Sequence, residues 1–393
     1  MASPRRVALM LELGKSDYWH AELFAGTQRY ARESGNWDCH IDEFVQDRLP
    51  SRRGRNVPYD GIIAWATPEL AEGARRCGVP LVNVLFNSQV TNLPSVFPNL
   101  GALGRLAAEH LLQCGYRRFG CLSMQRVVSQ RLQLEEFKAA VTARGFECSA
   151  ATTIGSYVDN TTSRKWDAFE RRIEKWVDSL TPPVGIFVSH FDFTARQVVR
   201  FCQRRGLQVP QDVGLVSGDS EQAILCDPPP SLTSIHVSYE EVGYRAAEML
   251  DRLMDGRPVS KRHLLLEPTG VVPRQTTGYV HSEDEVVVAA LRYMSTQAHR
   301  SIGVGDVASN VFVSRRTLER RFSDSLGRSV ASEIRRLRIE RAKHLLRDTG
   351  LSLCAVAFQS GFRSAQGLCE IFQREEGIAP SQFRREVSEP RTR

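Results

Sequence analysis

The chain has 393 residues, enough for two or three domains with apolar cores, since 42% of the residues are hydrophobic. Its net charge of +7 is unevenly distributed: residues 285–393 hold 19 Lys and Arg against 12 Asp and Glu, whereas the preceding residues hold 33 of each. The nine cysteines are scattered and form no C-x-x-C pair, which argues against a disulfide framework and a zinc site. The excess positive charge at one end indicates contact with nucleic acid.

The first two thirds of the chain alternate short apolar segments with amphipathic segments of helical period. We predict strands at residues 7–13, 61–65, 81–85, 119–123, 185–189 and 213–217. We predict helices at residues 19–33, 68–77, 100–114, 132–144, 166–179, 194–205 and 239–254. This alternation predicts an α/β fold with parallel sheets, right-handed crossovers and a ligand site where the strands end. Because no apolar segment is long enough, we expect neither a signal peptide nor a membrane span, and no membrane partner.

Residues 314–322 have the features of a DNA-contacting helix. Ser314 is suited to cap a helix, and Leu318 and Phe322 are spaced for one buried face. We expect the outward face to carry Arg315, Arg316, Thr317, Glu319 and Arg320. Arginine pairs bidentately with phosphate and with guanine, although such a face is often only a solvated surface. A short predicted helix at 304–309 precedes this segment, which gives the order of a helix-turn-helix unit.

The same pattern recurs about fifty residues later. The repeated positions are Ser314, Leu318, Phe322 and Gly327, matched by Ser364, Leu368, Phe372 and Gly377. A long helix at 330–346 joins the copies and would place both recognition helices in successive major grooves. The second helix contains Gly367, which weakens it, so we expect it to contact fewer bases. Its predicted DNA contacts are Ser364 as the cap, Gln366 to adenine, and Gln373 and Arg374 to phosphate.

Residues 286–385 resemble the AraC/XylS family of bacterial transcription regulators. The resemblance includes the closing pattern Gly361-Phe362, Leu368, Phe372, Gly377, Pro380 and Phe383-Arg384. It implies an all-α domain with two helix-turn-helix units that binds double-stranded operator DNA in the bacterial cytoplasm, at the nucleoid. If the protein is an activator, RNA polymerase is a further partner.

Residues 5–278 resemble the effector domain of LacI/GalR repressors and related sugar-binding proteins. The phrases that carry this resemblance lie at 95–123, 215–219, 230–254 and 271–277. They imply a periplasmic-binding-protein fold of two Rossmann-like lobes that enclose a small ligand. The first predicted strand begins at Val7, which leaves no room for the usual N-terminal DNA headpiece. We therefore predict an effector and dimerisation domain at 1–278, a linker at 279–284 and a DNA-binding domain at 285–393.

This order of parts resembles a family of bacterial regulators of xylose use. The resemblance implies a homodimer that binds D-xylose and activates genes of xylose catabolism. The alternatives are a response to another sugar, repression in place of activation, and a sugar-binding sensor or transport protein without DNA function.

Polar and aromatic side chains at predicted strand ends are candidates for holding a sugar, whose hydroxyl groups need paired donors and acceptors and whose C–H faces stack on aromatic rings. The candidates are Asp17, Tyr18, Trp19, Phe86, Asn87, Arg131, Asp192 and Asp219. Asp192 and Asp219 also match acids of the LacI/GalR pattern. Ordinary loop packing is the alternative for each residue. Two residues depart from that pattern: Gln133 replaces a ligand-gripping arginine, and Asn99 stands where an aspartate is common.

The sequence contains no catalytic motif. It has no G-x-S-x-G, no H-E-x-x-H, no P-loop and no G-x-G-x-x-G after the first strand, and its nine histidines are dispersed. We therefore expect no enzymatic activity, no cofactor and no bound metal.

Overall fold

The computed structural model describes residues 3–13, 18–50, 57–124, 127–153, 162–189, 192–218, 229–259, 263–278 and 284–388. Within these ranges the chain forms two α/β lobes, each with a six-stranded sheet, followed by a helical C-terminal domain. The predicted fold class is confirmed.

Lobe 1 is built on a wholly parallel sheet. Its strands are β1 (Arg5–Met10), β2 (Trp37–Ile41), β3 (Gly61–Ala64), β4 (Leu81–Asn83), β5 (Ser95–Pro98) and β11 (His263–Leu266), in the order β11-β5-β4-β3-β1-β2. Its helices are α1 (Tyr18–Ser34), α2 (Val45–Arg48), α3 (Pro68–Cys77) and α8 (Tyr239–Met254). The inner strand β3 is buried along its whole length, as expected for a parallel sheet covered on both faces.

Lobe 2 repeats this plan with one antiparallel edge. Its strands are β6 (Phe119–Met124), β7 (Cys148–Thr153), β8 (Val184–Val188), β9 (Val213–Ser217), β10 (Thr233–His236) and β12 (Gly270–Val272), in the order β12-β10-β9-β8-β6-β7. Strand β12 pairs antiparallel with β10, and the other pairs are parallel. Its helices are α4 (Leu100–Gln113), α5 (Val128–Thr142), α6 (Ser163–Asp178) and α7 (Asp192–Arg204).

The chain passes between the lobes three times, from β5 to α4, from β10 to α8 and from β11 to β12. Two helix pairs pack backbone against backbone beside these passages. A Cβ atom at Gly104 of α4 would overlap the carbonyl oxygen of Gln133 in α5, and one at Gly26 of α1 would overlap that of Glu240 in α8. Glycine at these two positions therefore allows each pair to close.

Several strands were not predicted from the sequence, namely β2, β5, β7, β10, β11 and β12. The edge strands β2 and β11 contain no fully buried residue, because each of them has a neighbouring strand on one side only. Strand β2 consequently lacks the continuous apolar run by which inner strands are recognised, and β11 has a run of leucines only from residue 264 to residue 266. Helix α5 also begins at Val128, four residues before the predicted start.

The C-terminal domain consists of two three-helix groups that share one long helix. Its helices are α9 (Glu285–Gln297), α10 (Val304–Asn310), α11 (Arg315–Leu326), α12 (Val330–Asp348), α13 (Leu353–Gln359), α14 (Ala365–Glu376) and α15 (Pro380–Ser388). Helix α12 contributes Val330 and Ile334 to the first apolar cluster and Ile339, Ala342 and Leu346 to the second. The two predicted helix-turn-helix units therefore both pack against helix α12.

Candidate DNA-binding surface and effector cleft

The first recognition helix, α11, begins and ends as its sequence predicts. The Ser314 hydroxyl accepts a hydrogen bond from Thr317 N at 3.1 Å, and Gly327 closes the helix in the left-handed conformation. Leu318 and Phe322 are fully buried. The exposed residues of its opposite face include Arg315, Arg316 and Arg320. The side chain of Thr317 lies within 2.8 Å of the Ser314 hydroxyl and so supports the cap.

The sequence analysis expects Glu319 on this outward face, but in the structure its side chain turns towards the start of α12. Its carboxylate accepts a hydrogen bond from Val330 N at 3.3 Å, at the start of α12. The side chain turns inward because the first turn of α12 has unpaired backbone N–H groups that attract a carboxylate. The exposed face of α11 is therefore more cationic than its sequence suggests.

A buried carboxylate fixes the connection between α11 and α12. Glu333 is only 1% exposed and lies 2.9 Å from Arg328 Nε and 2.7 Å from Arg336 NH2. Burial alone raises the pKa of this carboxyl group, but the two guanidinium groups outweigh it, so that the pKa is lowered. At neutral pH the ionised cluster holds Arg328, in the turn between α11 and α12, against the start of α12.

The second recognition helix, α14, has the same frame but a less cationic surface. Ser364 accepts a hydrogen bond from Gly367 N at 3.1 Å, and Leu368 and Phe372 are fully buried. Gln366 Nε2 donates to Glu370 Oε1 at 2.8 Å. A bidentate contact with adenine uses the amide oxygen and one N–H of glutamine, which leaves the second N–H for the bond to Glu370. Gln373 is exposed, as is Arg374, which donates to Glu375 at 3.2 Å.

An aromatic cluster lines lobe 1 near the carboxyl ends of its strands. The rings of Trp19 and Trp65 are stacked, with centroids 4.7 Å apart, and Tyr239 lies 5.6 Å from Trp19. His20 holds the cluster against the strand, because its Nδ1 is hydrogen-bonded to the Leu11 carbonyl. Such stacked rings offer an apolar face to the C–H surface of a sugar. Of the two predicted neighbours, Tyr18 begins α1 and Asp17 lies outside the described residues.

Phe86 and Asn87 connect lobe 1 with lobe 2. The Phe86 ring packs on Phe97 of lobe 1 and against the core cluster of lobe 2. Asn87 Nδ2 donates to Ser129 Oγ at 3.1 Å, and Ser129 N donates to Asn87 Oδ1 at 3.1 Å. The Asn87–Ser129 pair thus bridges the cleft by two hydrogen bonds at the start of α5.

The buried side chains of lobe 2 that have a polar atom without a hydrogen-bond partner among the described residues include Gln133 (Oε1), Thr194 (Oγ1) and Gln197 (Oε1). A Cβ atom on Gly218 would lie 3.3 Å from the Gln133 oxygen, which places this amide at the carboxyl end of β9. Buried polar atoms are nearly always hydrogen-bonded in proteins. These atoms are therefore available to a ligand.

The two predicted acids of lobe 2 are only partly described. Asp192 is the first residue of α7, and Asp219 lies outside the described residues, directly after Gly218 in the sequence. Asn99, the other departure from the LacI/GalR pattern, caps α4 and donates to Glu267 at 2.7 Å. Its role in this structure is to begin a helix.

Arg131, a predicted ligand contact, lies on the exposed side of α5. Its side chain is 59% exposed and lies 3.7 Å from Glu135, one turn further along α5. The buried face of α5 is formed by Gln130, Gln133, Leu134 and Phe137. Because successive helical residues are about 100° apart, Arg131 points away from this face.

The sequence analysis did not name Trp65, Tyr239 or Ser129, which the structure places beside the candidates Trp19 and Asn87. Trp65 ends a predicted strand, and because ligands bind at the carboxyl ends of such strands, its position was enough to name it as a candidate. Ser129 had no such signal, because helix α5 was predicted to begin after it.

Among the described residues, no helix is long and apolar enough to cross a membrane. In the same part of the chain, no group of His, Cys, Asp and Glu side chains is arranged to hold a metal ion.

Comparison with known proteins identifies both parts of the chain. Residues 108–277 match the periplasmic binding protein-like domain, and residues 307–386 match a helix-turn-helix domain. The xylose operon regulatory protein of Haemophilus influenzae is 26% identical over 389 residues, covering 96% of this chain and 98% of that protein. The protein of the same name from Escherichia coli K12 is 25% identical over 391 residues, covering 96% of each.

A solved structure of a xylose-binding transcription activator has the same fold along the whole chain. It is 24% identical, with a TM-score of 0.62, and the match covers 99% of this chain and 100% of that one. The full-length relatives are transcription regulators and not enzymes. The chain therefore combines a periplasmic binding protein-like domain with a C-terminal helix-turn-helix domain, and over its length it is similar to transcription regulators, the xylose operon regulatory proteins.

Proposed function

We propose that this regulator responds to a pentose, D-xylose, and activates transcription from operator DNA. The observation that carries the proposal is the similarity to xylose operon regulatory proteins over 96% of the chain, which extends through both domains. We assign residues 1–278 to the effector and dimerisation domain, 279–284 to a linker and 285–393 to the DNA-binding domain.

The sugar would lie between the lobes. The Trp19–Trp65 stack would pack on its C–H face, and Gln133 would pair with a hydroxyl group. Asp17, Tyr18, Asp192 and Asp219 are proposed contacts at the neighbouring strand ends. Phe86 and Asn87 would close the cleft over the ligand.

A neutral amide at Gln133 favours a second candidate, a regulator of the same kind that responds to another sugar. An arginine at that position would hold a hydroxyl group by charged, forked donors, whereas glutamine offers one donor group and one acceptor. Arg131 does not replace it in this structure, because its exposed side chain lies 3.7 Å from Glu135.

The mechanism we infer is a shift in population between open and closed lobes. The Asn87–Ser129 pair holds the lobes together in this structure, and a ligand that binds both lobes would favour the same closed state. In a homodimer, rotation of the lobes would change the spacing of the two DNA-binding domains. The partners in this scheme are double-stranded operator DNA and RNA polymerase, in the bacterial cytoplasm at the nucleoid.

The proposed DNA contacts lie on the outer faces of α11 and α14. Arg315, Arg316 and Arg320 would contact guanine or phosphate, and Gln366 would contact a base through its amide oxygen and the N–H that is not bonded to Glu370. Ser314, Thr317 and Ser364 would hold the helix starts against the phosphates, and Gln373 and Arg374 would contact phosphate.

Thermal unfolding with a panel of pentoses and hexoses tests the effector. A ligand that binds only the folded state, at about 100 times its Kd, adds roughly 2.7 kcal/mol of stability. We expect the largest upward shift with D-xylose, and we expect Trp65→Ala to remove most of it. A shift with another sugar alone would replace D-xylose by that sugar, and no shift with any of them would reject a sugar effector.

A promoter-reporter assay with the effective sugar separates activation from repression. Activation predicts higher reporter expression with protein and sugar together than with either alone. Expression that falls when the protein is present, and recovers with sugar, would identify a repressor.

A further inference from the structure

Phe312 lies in the turn between α10 and α11 in an unusual conformation. Its φ angle is 56°, in the left-handed region, and its side chain is 94% exposed. The flanking Val311 and Val313 pack against the apolar cluster of the first helix-turn-helix unit. A bulky residue in the left-handed region is strained, and here no burial of the ring offsets that strain.

The second helix-turn-helix unit makes the same turn with glycine. Phe312 N donates to Ser309 O at 3.3 Å, and Gly361 N donates to Phe358 O at 3.1 Å. The next bond of each turn is also equivalent, from Val313 N to Ala308 O at 3.2 Å and from Phe362 N to Ala357 O at 2.9 Å. Gly361 has a φ angle of 80°. Phe312 and Gly361 therefore occupy equivalent positions, and glycine suits both.

The two positions differ in what lies beyond the backbone. A Cβ atom at Gly361 would overlap the carbonyl oxygen of Ala298, so no larger residue fits there. At Phe312 the side chain extends into solvent. The first unit thus has space for a side chain at this turn and places an aromatic ring in it at the expense of backbone strain.

The position of the ring indicates what it contacts. Phe312 is two residues before the Ser314 cap, so the two Cα atoms are at most about 7.6 Å apart. The first residues of a recognition helix approach base edges in the major groove, and Arg315 and Arg316 are exposed there. Phenylalanine makes apolar contacts with the methyl group of thymine. Because these neighbouring cations attract phosphate, DNA is favoured over a protein surface as the contact partner of the Phe312 ring.

We propose that Phe312 is a specificity-determining residue whose ring packs against a thymine methyl group beside the bases contacted by α11. The proposal rests on the DNA-binding function and adds a contact outside the recognition helix. It also accounts for the strain, because glycine would remove the strain together with the contact.

The test uses the full-length protein and a duplex that the wild type selects from a random-sequence library. Binding is measured for the wild type, Phe312→Gly and Phe312→Ala, with each thymine replaced in turn by deoxyuridine, which lacks the methyl group. We expect both variants to lose about tenfold in affinity, the scale of one altered base contact. One deoxyuridine substitution should weaken the wild type and leave Phe312→Gly unaffected.

Phe312→Gly should unfold at a temperature no lower than the wild type, which separates lost contact from lost folding. Phe358→Ala is the matched control, because Phe358 is an exposed phenylalanine (59%) on the leading helix of the second unit, and it should bind as the wild type does. Equal affinities or equal deoxyuridine profiles for the wild type and Phe312→Gly would overturn the proposal. Unchanged DNA affinity with lost activation would replace DNA by a protein partner. If the wild type selects no sequence, both this proposal and the DNA-binding function fail.

Discussion

At the scale of single residues, Arg316 separates contact with bases from contact with the DNA backbone. It is exposed at the start of α11, immediately after a residue that is itself cationic. If Arg316 pairs with guanine, Arg316→Ala should cost about 1 to 3 kcal/mol on the selected duplex and much less on random DNA. Titration of both duplexes at several salt concentrations measures the two losses.

The matched control is Arg105→Ala, which removes an exposed arginine of the effector domain paired with Glu136. It should leave both affinities unchanged. An equal loss on both duplexes for Arg316→Ala, with a salt slope smaller by about one, would assign Arg316 to phosphate.

At the scale of elements, the junction of α11 and α12 depends on the ionised Glu333. Replacing it by Gln removes the charge and leaves Arg328 and Arg336 without their partner in a site where the carboxylate is 1% exposed. Breaking a buried pair costs about 3 to 5 kcal/mol, and the partial exposure of both arginines reduces this to about 2 to 3 kcal/mol. Urea unfolding of Glu333→Gln measures the loss.

Glu72→Gln provides the comparison, because Glu72 forms a fully exposed pair with Arg75 on α3 and its loss should have no measurable effect. A Glu333→Gln protein as stable as the wild type would mean that the junction is held by the apolar cluster alone. The lowered pKa of Glu333 also determines how this contribution to the free energy of unfolding depends on pH. The contribution is present above the pKa of the unfolded state and is lost as the pH falls through the pKa of the folded state.

The same scale shows which features a sequence predicts. The caps at Ser314 and Ser364 follow from local chemistry, and both are present in the structure. The direction of the Glu319 side chain depends on where α12 begins relative to α11. The spacing of residues along one helix carries no information about the position of the next helix. The Asn87–Ser129 pair joins residues of different lobes and is likewise a product of tertiary structure. Local periodicity therefore located most of the longer helices and about half of the strands, and it missed the contacts between elements.

At the scale of the whole molecule, His110 lies where the effector domain meets the DNA-binding domain. Its Nε2 is 2.8 Å from Thr277 Oγ1, and the Cys114 thiol is 3.7 Å away. Burial and, to a smaller extent, the charges of Arg336 and Arg328 together lower the pKa of His110 to about 4. The neutral imidazole thus fits a junction that already contains two cations from α12 and the turn before it.

This depressed pKa predicts how the junction responds to acid. The unfolded pKa is about 6.5, so the contribution of neutral His110 is complete above that value and decreases as the pH falls towards 4. Between pH 7.5 and 5 the loss should be about 2 kcal/mol, while carboxylates such as Glu333 remain ionised. Urea unfolding across this range should therefore show stability falling with pH in the wild type. The fall should be much smaller in His110→Gln, which keeps a polar partner for Thr277.

His40→Gln removes an exposed histidine of lobe 1, distant in the fold from this junction, and should retain the wild-type pH dependence.

A second readout follows from the position of His110 between the domains. Protonation adds a third positive charge beside Arg328 and Arg336, so it should loosen the contact through which closure of the lobes reaches α11 and α12. We therefore expect the effect of sugar on DNA affinity to weaken between pH 7.5 and 5 in the wild type and to stay constant in His110→Gln. If both proteins show the same dependence, His110 stabilises lobe 2 without coupling the sugar cleft to the DNA-binding surface.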